Sequence, residues 1–278
     1  MKKIIHVLLI FVLALACVGC GDNNATSPAK IGALAPIGMG ENDVKTWTER
    51  VAKSEGKEEN YKNNNNIILF DDMTSMVMAL KSKQIDRLGA CSVMGDYIVK
   101  RNHDLKLIDK NHNAILGYSM AMKKENSAVI EEINKAFHDM KNDGTLDKLV
   151  KENITELGVN EPKPVAIPVI PGAATYKVAI TGDLPPLDYV QADGAPAGFN
   201  VAVLSELVKR TKMNFQPVSV NAGGRGTALV SDKVDILFWT IGTYDADGKA
   251  LPYALDKMQD VSITEPYYLD RRVAVERR

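Results

Sequence analysis

The chain is short of cysteine, of aromatic residues and of net charge. Its 278 residues include three cysteines, Cys17, Cys20 and Cys91. The first two sit in an N-terminal targeting segment, so Cys91 has no partner for an internal disulfide in the rest of the chain. Aromatic residues make up 6% and tryptophan occurs twice, as Trp47 and Trp239. A formal net charge of −1 provides no basic surface for nucleic acid. Catalytic signatures are missing too. There is no G-x-S-x-G elbow, Walker loop or dinucleotide fingerprint. His103, His112 and His138 lack the spacing of paired metal ligands. Asp245-Ala246-Asp247-Gly248 begins like a calcium loop but lacks its later ligands, and reads as a turn. Cys91 has no evident histidine partner and reads as a buried or cleft-lining thiol. No metal, cofactor or enzymatic activity is expected.

The N-terminus carries an address. Lys2 and Lys3 precede an apolar run from Ile4 to Cys17 broken only by His6. That run is short for a membrane span and suits a secretory signal. It ends in Cys17-Val18-Gly19-Cys20-Gly21-Asp22, which resembles a bacterial lipoprotein cleavage site with Cys20 as the lipidated residue. Ala14-Leu15-Ala16-Cys17 is a second candidate, with Cys17 as its lipidated residue, and plain secretion is the competing reading. Residues 1–20 are therefore assigned to a signal peptide and 21–30 to a polar tether.

Beyond the tether, strand-like and helix-like stretches alternate, which points to α/β layers with mainly parallel sheets. Strands are expected at 31–35, 67–70, 86–93, 105–108, 116–122, 176–180, 215–220, 234–239 and 273–275. Helices are expected around Val44–Val51, Met76–Leu80, Tyr97–Val99, Val129–Met140, Leu146–Ile154, 198–210 and 226–230, with Asp72 or Thr74, Ser127 and Thr145 as caps. Residues 56–66 read as a loop. Residues 159–175 hold four prolines and read as an extended connector. One phrase occurs twice, Ala79-Leu80-Lys81-Ser82-Lys83-Gln84-Ile85-Asp86 and Ala228-Leu229-Val230-Ser231-Asp232-Lys233-Val234-Asp235. Two such helix–turn–strand units so far apart suggest two similar lobes with a cleft between them.

Four ordered elements carry a family resemblance. They are Gly182-Asp183-Leu184-Pro185-Pro186-Leu187-Asp188-Tyr189-Val190, Gly198-Phe199-Asn200-Val201, Ala228 to Asp235, and Thr264-Glu265-Pro266-Tyr267-Tyr268. Together they resemble the first lobe of the bacterial extracellular solute-binding proteins that serve polar amino-acid ABC transporters. Phe70 to Asp86 and Tyr97 resemble that family's second lobe, and Gly117 to Ile154 its C-terminal return segment. The resemblance implies a type II periplasmic-binding-protein clamp whose lobe order is circularly permuted. Residues 31–115 would form the second-lobe-like part and 116–278 the first-lobe-like part, joined by one covalent hinge near Ala114–Tyr118. Two truncated domains in tandem are the rival explanation. The resemblance also implies a small polar solute, amino acid or amino-acid-like, an ABC permease as partner, a monomer and membrane attachment through lipid. A two-lobed sensory module is the alternative.

By the same resemblance the ligand residues are Asp183, Leu184, Leu187 and Tyr189, with Trp239, Thr240 and Gly242, then Met39, Gly40, Cys91 and Ser92. Two departures bear on the ligand. The family places an Arg after the Trp239-Thr240 position to clamp an α-carboxylate, and Ile241 to Lys257 contains none. It also places an Asp near position 91 for the α-amino group, where this chain has Cys91. Arg225 could supply the positive charge, or could be a solvated surface residue.

Overall fold

The computed structural model describes residues 29–54, 65–108, 115–244, 249–250 and 260–278. Several sequence readings lie outside these residues: the signal peptide, Cys17 and Cys20, most of the tether and of the 56–66 loop, His112, Ala114 and Asp245–Gly248.

The first part of the chain builds a leading lobe from β1 (Ala29–Leu34), α1 (Glu41–Ser54), β2 (Asn65–Phe70), α2 (Met73–Lys81), β3 (Arg87–Cys91), α3 (Ser92–Arg101) and β4 (Leu105–Ile108). The trailing lobe opens with β5 (Ile115–Lys123), α4 (Ser127–Asn142) and α5 (Thr145–Val150). It continues with β6 (Thr175–Ile180), a small sheet of β7 (Asp183–Leu184), β8 (Asp188–Val190) and β9 (Pro196–Ala197), and α6 (Phe199–Thr211). Then come β10 (Asn214–Ser219), α7 (Arg225–Val230), β11 (Ile236–Tyr244) and β12 (Val261–Ile263). The final strand is β13 (Tyr268–Arg277).

Both lobes have the same strand order. The leading sheet runs β2-β1-β3-β13-β4 and the trailing sheet β10-β6-β11-β5-β12. In each, the first strand lies parallel between the second and third, and an antiparallel strand follows. The repeated phrase explains the likeness at atomic level. Its two copies end α2 and α7 and turn into β3 and β11. Lys83 and Asp232, fifth in each copy, take left-handed backbone at φ 65° and 57°. The backbone N–H groups of Gln84 and Lys233 donate to Ala79 and Ala228 at 2.9 and 3.0 Å. The closing aspartates then bind the first strand of their own lobe, Asp86 accepting from Lys30 N–H at 2.8 Å and Asp235 from Lys177 N–H at 2.7 Å. Small and turn-forming residues recur because one bend is made twice.

Two strands cross between the lobes, where sequence reading expects a single hinge. β5 enters the trailing sheet after the leading lobe. β13 starts beside β5, with Tyr268 opposite Tyr118, and then runs between β3 and β4 as Arg272 to Arg277. The last residues of the chain thus complete the leading sheet. Sequence reading shortens β13 to 273–275 because Asp270, Arg271 and Arg272 interrupt its apolar pattern, yet Asp270 is buried.

Local caps differ in detail from expectation. Asp72 caps α2 through Ser75 N–H at 2.6 Å. Asn126, not Ser127, is the N-cap of α4, and Gly144, not Thr145, precedes α5. In both places a preceding turn has already fixed the chain direction. The proline-rich connector is pinned to the trailing lobe. Ile170 N–H donates to Asn214 Oδ1 at 2.8 Å and Ser205 Oγ donates to Ala166 O at 3.0 Å.

Gly198, which starts α6, has φ 98°, and a Cβ there would meet Leu187 O at 2.6 Å. Gly198→Ala is therefore expected to lower unfolding free energy by more than about 1 kcal/mol in urea titration. An unchanged midpoint would contradict this geometry.

Candidate functional site

A cavity of about 140 Å³ lies where the C-terminal ends of β1 and β3 meet the two crossing strands and β11. Ile31 and Leu34 of β1, Trp47 of α1 and Cys91 of β3 form its leading-lobe wall, with Arg272 of β13. Leu116 of β5 and Trp239 and Ile241 of β11 close it from the trailing lobe. Strand register sets this wall. Arg272 stands directly opposite Cys91 on neighbouring strands. The Arg272 guanidinium lies 5.3 Å from the centre of the Trp47 ring, close enough for a cation–π attraction. Trp239 has φ 56° and sits where the register of β11 against β5 shifts. That irregularity turns its backbone out of the ladder.

Three nitrogens of residues that form this wall are buried without a hydrogen-bond partner: Trp47 Nε1, Trp239 Nε1 and Arg272 Nη2. Both tryptophans are at least nine-tenths buried, at 6% and 4% exposure. Buried donors are nearly always paired in folded proteins, so three together on one cavity call for a cause. Among the described residues that line the cavity, none is acidic.

The lobes also touch directly. Ala222 N–H donates to Asp71 O at 2.9 Å, and Ile37 of the leading lobe is buried in the apolar cluster of Ala228 and Leu229. Asp183 of β7 reaches across to α2 and accepts from Met73 N–H at 2.6 Å. Its carboxylate faces the positive end of the α2 dipole. Burial is the main cause that pushes the Asp183 carboxyl up to about 6, opposed by Met73 N–H and assisted by the charges of Asp188 and Asp72.

Of the residues singled out by sequence, the cavity brings together Cys91 and Trp239. Arg225 is 1% exposed, so it is no surface residue. It lies behind the cavity wall, 5.1 Å from the Trp239 ring centre, and donates through Nη1 to Trp239 O at 2.9 Å. Ser92 Oγ donates to the buried Asp270 at the start of α3. Leu184 and Leu187 lie fully in the core, and Thr240 is buried beside Trp239. Gly242 pairs with Gly117 under the Tyr244 ring. Met39 packs on the core, and Gly40 N–H donates to Asp43 Oδ2 at 3.1 Å to start α1. Tyr189 pairs with Asp183 across β7 and β8. Trp47 and Arg272 escaped sequence reading. The signal available was composition, since one of only two tryptophans and an arginine pair inside a strand are uncommon features.

Residues 176–278 match the family model described as bacterial extracellular solute-binding proteins, family 3. A search of curated proteins finds no match. Among solved structures, the ligand-binding component of an ABC-type import system from Staphylococcus aureus aligns at 12% identity and TM-score 0.42, over 90% of this chain and 66% of that one. A putative L-cystine ABC transporter from Listeria monocytogenes aligns at 10% identity and TM-score 0.40, over 91% and 83%. The GluR0 ligand-binding core in complex with L-glutamate aligns at 8% identity and TM-score 0.41, over 91% and 86%. The chain spans about two thirds of the length of the first of these. The topology is that of a two-lobed α/β protein, and residues 176–278 of its trailing lobe carry the match to the bacterial extracellular solute-binding proteins.

The Asp183 contact gives a pH prediction. The folded carboxyl titrates near 6 against 3.8 for the ordinary group. Its protonated form is thus favoured in the folded state, and that stabilisation is lost as pH rises through about 6. Asp183→Asn keeps an acceptor for Met73 N–H and removes the titration. The melting temperature of the variant minus that of the parent is expected to rise between pH 4 and pH 7, a range that spans the folded titration at about 6. A pH-independent difference would contradict the assignment.

Proposed function

We propose that the protein is an extracytoplasmic solute receptor, held at the membrane through lipid on Cys20, that closes its two lobes on a small solute and delivers it to an ABC permease. The observation that carries this reading is the cavity itself. It is built from both lobes, at strand C-terminal ends and beside the crossing strands, where open α/β folds place ligands. The family match over residues 176–278 supports the same class. No helix among the described residues is long and apolar enough to cross a membrane, and the proposed attachment lies in the N-terminal segment. The role is binding rather than catalysis, and the protein acts as a monomer.

We also propose that the lobe order is circularly permuted. The family match falls at the end of the chain. The helices α4 and α5 precede it yet pack on α6 of the trailing lobe, with Arg210 bonded to Asp143 at 2.8 Å and to Thr145 at 2.9 Å. The connector of residues 159–175 then leads into β6.

Thermal-shift measurements on the purified chain test the receptor reading against amino acids, amines, short peptides, sugars and organic acids. A ligand of the folded state at about a hundredfold excess over its Kd stabilises by about 2.7 kcal/mol and raises the melting temperature by about 5–10 °C. No rise with any of these classes would remove the receptor reading.

A further inference from the structure

We infer that the cavity takes a small organic acid, an apolar body carrying one carboxylate and no ammonium group, with Arg272 as its counter-charge. The inference rests on reading the cavity as the solute site, and it narrows that reading to a ligand class. The unpartnered polar atoms of the wall are the first ground. Trp47 Nε1, Trp239 Nε1 and Arg272 Nη2 are all donors, and none is satisfied within the protein. A guanidinium and two indole N–H groups match an acceptor-rich anionic head.

The second ground is what an ammonium group would meet. An α-amino group brings its own charge and donors, and burying these without an acceptor is costly. The described lining has no carboxylate to receive them. The nearest buried acid on the same strand, Asp270, is already taken. It accepts from Tyr118 Oη at 2.6 Å, from Val93 N–H at 3.2 Å, from Arg271 N–H at 2.6 Å and from Ser92 Oγ. Tyr118 keeps its proton for this bond, because burial pushes its hydroxyl far up.

The third ground is size. The cavity measures about 140 Å³, and a dry apolar cavity of roughly 150 Å³ holds a benzene ring. Ile31, Leu34, Leu116 and Ile241 suit such an apolar body. Benzoate and 3-methylbutanoate are therefore suitable probes.

Intrinsic fluorescence tests this directly, because both tryptophans of the chain stand on the cavity wall. Titration of the purified full-length protein with benzoate or 3-methylbutanoate is expected to give a saturable change. Valine, which is 3-methylbutanoate with an ammonium group added, and benzyl alcohol, which lacks charge, are expected to bind at least about tenfold more weakly. Arg272→Met is expected to weaken benzoate by about tenfold or more and to leave benzyl alcohol unchanged. The comparison among compounds on the parent protein needs no variant and decides the matter if Arg272→Met does not fold. Valine binding as tightly as 3-methylbutanoate would overturn the ligand class and leave the receptor reading standing. Equal binding of benzyl alcohol and benzoate would overturn the role of Arg272. Silence of both organic acids beside a thermal shift from another class would sink this inference alone, and silence of every class would sink both.

Discussion

The antiparallel pairing of β5 with β13 is the constraint on which the rest of the structure depends. Each strand spends part of its length beside the other and part in a different lobe's sheet. The two lobes are thereby joined by two crossings that share hydrogen bonds. Asp270 fixes this junction. It is 5% exposed and collects donors from β5, from the start of α3 and from its own strand. A buried carboxylate so fully bonded is far more costly to disturb than to keep. Tyr118, Tyr267, Tyr268 and Phe199 stack around the same point with ring centres 5.4–6.4 Å apart. A two-strand junction of this kind suits a bend between the lobes, with the sheets on either side as the units it joins.

The cavity inherits its chemistry from that junction. The register that pairs Arg272 with Cys91 sets a cation at the floor of the cleft. The irregularity in β11 turns Trp239 toward it from the other side. Trp47 comes from α1, where it is buried one helical turn from the buried Val44. Cation, indoles and apolar wall thus arise from five separate elements, α1, β1, β5, β11 and β13.

Much of the architecture was legible in the residues. The twice-used phrase ending in Asp86 and Asp235 marked one bend made in each lobe, because its small, left-handed and acidic positions each have a bonding role. Strand and helix placement followed from apolar periodicity in most segments. The second crossing was hidden because β13 buries Asp270 and carries Arg271 and Arg272 side by side, so its start resembles a loop. The site was harder. Resemblance pointed to Cys91 and Trp239, which do line the cavity, but also to Leu184 and Leu187, which are core. Arg272 and Trp47 depend on register and on packing between elements distant in sequence, and no local pattern encodes that.

The central claim is a clamp that closes around a solute at the strand junction. The most direct measurement is the distance between nitroxide labels attached at Met78 and Val230, which lie on α2 and α7 of opposite lobes and are 65% and 70% exposed. Double electron–electron resonance on the unliganded protein is predicted to give a broad distribution that includes a long, open distance. Addition of benzoate is predicted to collapse it to the single short distance of the closed arrangement. A distribution that benzoate leaves unchanged would contradict the account.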